Sequence, residues 1–208
     1  MTALVALLAL GPAAYQSLGP ADWRGYRKPD LPKGWQFEGG VLSYIPGRGP
    51  GGDIVTKEQY ADFDLVLEWK ISLGGNSGIM FRATEDQRYA WQTGPEYQLL
   101  DNARAPDGRS PLTSAGSIYA LVPPVRDVTK PAEMWNEARI VLHKGILRHY
   151  VNGVEVATAD LESQGWKDLV AKSKFRGMAS FAKQPKGHIV LQDHGNSVWF
   201  RNLRIRRL

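Results

Sequence analysis

Two stretches decide how this sequence folds: NSGIMFR at residues 76–82 and GPEYQLLDN at residues 94–102. Both alternate with a period of two, which is the pattern of a β-strand whose two faces meet different surroundings. In the second stretch apolar side chains share one face, whereas Glu96 and Gln98 share the other. Glutamate, glutamine, asparagine and arginine hydrogen-bond sugar hydroxyls, and some of them transfer protons. The pattern therefore predicts a sheet with one face built as a binding surface.

The rest of the chain continues this extended pattern between turn residues. Asn152-Gly153 separates two alternating segments, which is the signature of a two-residue type I′ hairpin. A further strand is predicted over residues 117–122, and only residues 161–174 suit a short helix. About ten short strands with almost no helical periodicity predict an all-β protein, either a sandwich or a barrel.

Length and composition narrow the class of protein. A chain of 208 residues is about one domain and is long enough to bury a substantial core. The absence of cysteine excludes disulfides and thiolate metal sites. Part of the net charge of +5 comes from a cluster near the C-terminus, formed by Arg201, Arg204, Arg206 and Arg207. Because aromatic residues are not interleaved with these cations, we expect a solvated strand end and no nucleic-acid partner.

The first residues have the features of an export signal. An apolar run at residues 4–10 precedes small residues up to Ala14, which resembles the core and cleavage zone of a signal peptide. The usual positive charge before the run is missing, so a short buried helix is the competing interpretation. The run is too short to span a bilayer, and we expect no integral membrane span. The predicted organisation is a truncated signal peptide at 1–14, an irregular lead-in at 15–34 and a β-sandwich domain at 35–208.

Several short motifs occur in an order and spacing that resemble one protein family. Each motif alone is weak, and it is their joint order that is specific. They are GDIVT at 52–56, NSG at 76–78 with Arg82, GPEYQ at 94–98 with Asp101, GSIY at 116–119, Asn152-Gly153, QDHG at 192–195 and Arg201-Asn202. Over about residues 35–208 the chain thus resembles the 3-keto-disaccharide hydrolases, also described as 3-keto-glucoside lyases/3-keto-2-hydroxy-glucal hydratases.

The resemblance implies a fold, a location and an activity. The fold would be a concanavalin-like jelly-roll β-sandwich of two antiparallel sheets, in a bacterial protein that is secreted or periplasmic. The activity would be that of a glycoside-cleaving hydrolase or lyase on 3-keto sugars. In this chemistry a ketone at C3 acidifies the C2 proton, a base removes it, the C1–oxygen bond breaks by elimination, and water adds to the enone. The substrate requires prior oxidation, so a functional link to a sugar 3-dehydrogenase is expected.

Such a site needs a base near C2, an acid near the leaving oxygen, and donors or positive charge near the C3 oxygen. Glu96 and His194 are the candidates for base and acid, in either order, and Arg82 is the candidate for the C3 oxygen. The competing interpretations are an outward glutamate on a sheet, a surface histidine in a turn, and a salt bridge from Arg82 to Glu68 or Glu96.

Other polar residues are candidates for binding the substrate. Asp53 and Asp101 suit turn positions equally well, and Arg201 could simply flank the last strand. Tyr44 and Trp91 are candidates for stacking on sugar rings, whereas Tyr119 is assigned to the core. The predicted substrate-binding set is Asn76, Gln98, Asp101, Glu68, Asp53 and Arg201.

A divalent metal ion is a further candidate. Glu68, Glu96, Asp101 and His194 would together form an oxygen-rich site, although no spacing in the sequence establishes it.

Two other functions remain open at this stage. The same fold serves non-catalytic carbohydrate-binding modules, which need hydroxyl contacts and a stacking ring without a titratable pair. An ordinary glycoside hydrolase would need two carboxylates across the glycosidic bond, and Glu68 with Glu96 or Asp101 could supply them.

Overall fold

The computed structural model describes residues 14–208, and its regular structure consists mainly of thirteen short strands. The predicted signal peptide at 1–14 therefore lies, apart from Ala14, outside the described residues. In chain order the strands are β1 (Gln16–Ser17), β2 (Trp23–Gly25), β3 (Trp35–Glu38), β4 (Val41–Tyr44), β5 (Ile54–Thr56), β6 (Phe63–Ile71), β7 (Asn76–Ala83), β8 (Glu96–Leu100), β9 (Asn136–His143), β10 (Ile146–Val151), β11 (Val154–Asp160), β12 (His188–Leu191) and β13 (Val198–Arg207).

Helical structure is sparse. The one α-helix of the described residues, α1 (Gln164–Lys172), falls within the predicted 161–174 and begins where the Ser163 hydroxyl caps the Trp166 amide. Short 3-10 helices occur at Pro20–Asp22, Ala90–Gln92, Pro106–Arg109 and Pro111–Thr113. No helix in this part of the chain has the length and apolar character needed to cross a membrane.

The strands form two antiparallel sheets, which confirms the predicted all-β sandwich. The larger sheet has eight strands in the order β11-β10-β9-β6-β13-β4-β3, with β1 added on β13. The smaller sheet has five strands in the order β2-β5-β12-β7-β8. Apolar side chains from both sheets form the core, and its largest fully buried members include Phe63, Trp69, Phe81, Tyr97 and Phe200. Each such side chain stabilises the sandwich by roughly 1.5–3 kcal/mol.

The predicted hairpin is confirmed at the β10–β11 turn. Asn152 and Gly153 have φ angles of 49° and 79°, the left-handed pair that a type I′ turn requires. The Asn152 side chain also ties the turn to neighbouring backbone, since its oxygen accepts from the Glu137 amide at 2.9 Å and its nitrogen donates to the Val128 carbonyl at 2.8 Å.

Two local expectations were wrong. The lead-in at 15–34 is not irregular throughout, because β1 pairs with β13 of the larger sheet and β2 pairs with β5 of the smaller one. Residues 117–122 are not a strand. Ala120 adopts a φ of 58°, and the Leu121 and Val122 amides both donate to the Ile118 carbonyl, so the chain turns tightly there.

We expect Asn152→Ala to lower the free energy of unfolding by about 1–3 kcal/mol, because it removes the turn-forming side chain and leaves buried polar partners unsatisfied. In a thermal melt this corresponds to a midpoint lower by roughly 2–4 °C per kcal/mol. Glu155→Gln, on the exposed side of the same hairpin, is the matched control. Identical midpoints for the two variants would contradict the role given to Asn152.

Candidate active site

The outer face of the smaller sheet, opposite its core face, forms the floor of a pocket of about 520 Å³. Asn76 of β7, Glu96 and Gln98 of β8, and Gln192 just after β12 contribute the floor. The face predicted to bind is therefore the face that lines the pocket. The surrounding residues are Tyr89, Trp91, Tyr119, Lys174 and Met178, together with Asp53, Asp193 and His194.

Glu96 owes its place to a glycine on the neighbouring strand. In the β7–β8 register, Gly78 lies opposite Gln98 and Met80 lies opposite Glu96. A Cβ atom at position 78 would overlap the Glu96 carboxyl group, so only glycine leaves room for the side chain to lie across β7. The glycine of the NSG motif thus provides the space that the Glu96 side chain occupies.

Burial determines the protonation state of the Glu96 carboxyl group. The residue is only 8% exposed. This burial raises the pKa of Glu96 to about 8, with a further upward contribution from the negative charges of Asp53 and Asp107 and an opposing one from Lys174. No hydrogen bond from residues 14–208 contributes to this pKa. The carboxyl group therefore holds its proton at neutral pH and releases it just above, which suits a group that transfers protons.

Four side-chain amide atoms on the pocket floor have no hydrogen-bonding partner within residues 14–208. They are both polar atoms of the Gln98 side chain, Oδ1 of Asn76 and Oε1 of Gln192, all buried. Buried polar groups in proteins are nearly always hydrogen-bonded, because an unsatisfied one costs about 1–3 kcal/mol. Their convergence on one pocket indicates a ligand rich in hydroxyl and carbonyl groups.

A turn after β12 places His194 at the pocket rim. Asp193 holds this turn: its carboxylate accepts from the Gly52 amide at 2.7 Å and from the Gly195 amide at 2.8 Å. The Asp193 amide donates to Asp53 at 3.0 Å, which joins the turn to the segment before β5. Burial raises the pKa of Asp53 to about 6. His194 itself is exposed and lines the pocket.

Asp107 organises the other side of the pocket. Its carboxylate accepts from the Tyr119 hydroxyl at 3.1 Å and from the Asn76 amide at 3.3 Å. Burial and the charge of Asp107 raise the pKa of Tyr119 above its ordinary value. Tyr119 is a half-buried wall residue and not the core residue that was predicted. Trp91 also lines the pocket, whereas Tyr44 packs in the core against Trp35.

Arg82 does not lie beside Glu96, and this part of the prediction was wrong. A β-bulge between β7 and β12 interrupts the alternation, and Arg82 adopts a φ of 49° there. Its guanidinium donates to the Ala61 carbonyl at 3.0 Å and to Asp62 at 3.1 Å. An extra residue in a bulge redirects the side chains that follow, which the period-two pattern does not reveal.

Three predicted substrate-binding residues also lie outside the pocket. Glu68 and Arg201 face each other on β6 and β13 of the larger sheet, with 2.6 Å between Oε2 of Glu68 and NH2 of Arg201. Asp101 is buried in the turn after β8, where it accepts from the Gly74 amide at 2.8 Å. These carboxylates have structural partners and do not converge with Glu96.

The predicted metal set does not form for the same reason. Glu68 and Asp101 are separated from Glu96 and His194, and residues 14–208 contain no cluster of three or more His, Cys, Asp or Glu side chains suited to a metal.

Sequence reasoning missed several pocket residues. Gln192 and Asp193 belong to the same QDHG motif as His194, and this motif is the signal that would have identified them. Lys174 and Met178 come from a loop whose path carries no periodic signal, and Asp107, which contacts the pocket residues Asn76 and Tyr119, lies in a short 3-10 helix.

Comparison with known proteins agrees with this architecture. Residues 17–206 match the family described as the 3-keto-alpha-glucoside-1,2-lyase-like domain. The chain belongs to this family. The membership confirms the resemblance seen in the motifs and extends it to β1, so the lead-in is part of the lyase-like domain.

Individual relatives support the family and the fold. A 3-keto-disaccharide hydrolase from Bacteroides thetaiotaomicron is 34% identical over 215 residues, covering 89% of this chain and 74% of that protein. The crystal structure of a proposed glycosyl hydrolase from Parabacteroides distasonis has 29% identity and a TM-score of 0.83, covering 90% of this chain and 89% of that one. A carbohydrate-binding module from Bacillus subtilis, at 13% identity and a TM-score of 0.55 over 89% of this chain and 95% of that one, shares the fold alone and confirms the jelly-roll sandwich.

Gly78→Ala should push the Glu96 carboxyl group off β7 and into the pocket. Greater contact with water would lower the pKa of Glu96 from about 8 towards its ordinary value. Carbon-detected NMR titration of the glutamate carboxyl measures this shift. Gly165→Ala, where the new Cβ meets only Ser163 Oγ at 3.8 Å, is the control. An unchanged titration in Gly78→Ala would show that the glycine is dispensable.

The raised pKa of Glu96 also predicts how stability depends on pH. The folded-state pKa of about 8 exceeds the unfolded value of 4.5, so the protonated carboxyl stabilises the fold below about 4.5 and this contribution is lost as pH rises through 8. Glu96→Gln keeps a neutral side chain at every pH. Relative to this variant, the melting midpoint of the wild type should fall by several degrees between pH 5 and pH 9. If the melting midpoints of the wild type and Glu96→Gln changed with pH in parallel, Glu96 would not be a buried neutral group. The control Glu155→Gln should show the same pH dependence as the wild type.

Proposed function

We propose that this protein cleaves 3-keto-glycosides by elimination at C1 and C2, followed by hydration of the enone. The observation that carries the proposal is Glu96, a buried carboxyl group with a pKa near 8 on the floor of a pocket lined by unpartnered amides. The name of the Bacteroides thetaiotaomicron relative supports the substrate class.

The residues can be assigned to steps. The C3 ketone acidifies the C2 proton, and the Glu96 carboxylate takes that proton while the electron pair moves onto the C3 oxygen as an enolate. The enolate re-forms the ketone as the C1–oxygen bond breaks, and the leaving oxygen takes a proton from His194 at the rim. Water then adds across the C1–C2 double bond, with its hydroxyl on C1 and a proton returned to C2. The products are a 3-keto sugar and the free leaving group.

Ordinary glycoside hydrolysis fits the pocket less well. That reaction uses two carboxylates about 5–9.5 Å apart across the glycosidic bond. The predicted partners of Glu96, namely Glu68 and Asp101, lie outside the pocket. Asp53 and Asp193, which do line it, hold the turn that carries His194.

A binding module would not need this glutamate. Hydroxyl contacts and a stacking ring suffice for lectin-like binding, and a buried acid with a raised pKa would only weaken the fold. Perturbed titratable groups in a cleft are typical of catalytic sites. Glu96 therefore favours an enzyme.

The substrate places the protein within a sequence of reactions. A glycoside has to be oxidised at C3 before this elimination, so we propose a functional link to a sugar 3-dehydrogenase. A secreted or periplasmic location in bacteria stays a prediction from the sequence.

The test is incubation with 3-keto-trehalose and with unoxidised trehalose, following 3-keto-glucose release and deuterium exchange at C2. We expect cleavage of the oxidised sugar alone, an acidic limb of kcat/KM near pH 8, and a loss of roughly 10²–10⁴-fold in Glu96→Gln. Glu155→Gln should have the same activity as the wild type. A parallel reaction with a chelator tests separately whether activity requires a divalent metal ion.

Other outcomes would redirect the assignment. Cleavage of both sugars would point to an ordinary glycosidase. Binding without cleavage of either would point to a carbohydrate-binding module.

A further inference from the structure

The proposed elimination leaves one requirement unfilled, which is stabilisation of the negative charge on the C3 oxygen. Preorganised donors or cations at such an oxygen typically raise kcat by about 10²–10³-fold. Arg82, predicted for this role, is held by Asp62 away from the pocket. Of the residues that line the pocket, only Lys174 and His194 can carry positive charge.

Lys174 presents its ammonium group to the pocket between aromatic rings. It follows α1 closely, and its Nζ lies 4.0 Å from the centroid of Tyr119 and 6.0 Å from that of Trp91. Aromatic faces attract cations at these distances. The rings therefore help to hold the ammonium group at the pocket, although a large part of the Lys174 side chain is exposed to solvent.

The loop that carries Lys174 is anchored to the segment that carries Glu96. The next residue, Phe175, is buried and stacks on Phe181 with 3.9 Å between ring centroids. The Ala182 amide then donates to the Thr93 carbonyl at 2.8 Å, three residues before Glu96. This anchoring fixes the lysine relative to the glutamate.

The ammonium group of Lys174 is influenced by two nearby carboxyl groups. Partial burial lowers the pKa of Lys174, while the negative charges of Glu96 and Asp107 raise it in opposition. No hydrogen bond is among these influences. An ammonium group has three donors, and a ligand oxygen would complete its surroundings.

We propose that Lys174 is the catalytic residue that binds the C3 oxygen and stabilises the enolate as Glu96 removes the C2 proton. The inference rests on the proposed function. In this step the C2–H bond breaks, its electron pair moves onto the C3 oxygen, the proton goes to Glu96, and Lys174 keeps its own protons. An enolate carries more charge on oxygen than a ketone does, so the contact strengthens towards the transition state.

The experiment compares the wild type, Lys174→Met and Lys174→Arg on 3-keto-trehalose, with Lys172→Met as the matched control on the exposed end of α1. We expect Lys174→Met to lower kcat by about 10²–10³-fold with a change in KM below about threefold. Deuterium exchange at C2 should fall in parallel. Lys174→Arg should recover part of the rate, and Lys172→Met should behave as the wild type.

A pH profile separates catalysis from a structural role. Because the Lys174 charge lowers the pKa of Glu96, Lys174→Met should move the acidic limb of kcat/KM to higher pH, with an unchanged thermal midpoint. If the wild type is active and Lys174→Met retains a third or more of its kcat, this inference is overturned and the proposed function is not. A wild type inactive on 3-keto-trehalose would overturn the proposed function and the inference with it.

Discussion

The smaller sheet depends on one constraint, the strict alternation of side chains between its two faces. Tyr97 and Leu99 of β8 are fully buried in the core. Glu96 and Gln98 are therefore forced onto the opposite face, where the Gln98 amide has no hydrogen-bonding partner within residues 14–208. A slip of one residue in register would turn Glu96 and Gln98 towards the core and Tyr97 and Leu99 towards the pocket. The packing of the core therefore determines which side chains form the pocket floor.

This constraint has an energetic consequence. A carboxyl group withheld from water and left without hydrogen bonds destabilises the folded state whenever it ionises. The amides of Gln98, Asn76 and Gln192 add further unsatisfied groups on the same floor. Most buried apolar side chains belong to the main core cluster, which supplies the stability that these polar groups do not. The pocket is thus the part of the fold where polar groups are arranged for a ligand and not for stability.

Period-two patterns predicted the strands, the hairpin at Asn152-Gly153 and the polar face of β7 and β8. The sequence also identified Asn76, Gln98, Asp53 and His194 as candidates, and these residues line the same pocket as Glu96. The sequence-based prediction failed for Arg82 because a simple alternating pattern does not reveal a β-bulge. It failed for Glu68 and Arg201 because alternation does not say which sheet a strand joins. Lys174 and Asp107 could not be found because a loop path depends on tertiary packing such as the Phe175–Phe181 stack.

The position of β13 has a consequence for how the chain folds. This strand follows all the others in the described sequence, yet it lies in the interior of the larger sheet, between β6 and β4. It also holds β1, with Gln16 opposite Ile205. During synthesis the larger sheet therefore stays divided into two halves until β13 is available. Contacts of such large sequence separation slow folding and keep strand edges exposed, so the nascent chain would depend on chaperones for longer than a helical protein of this size.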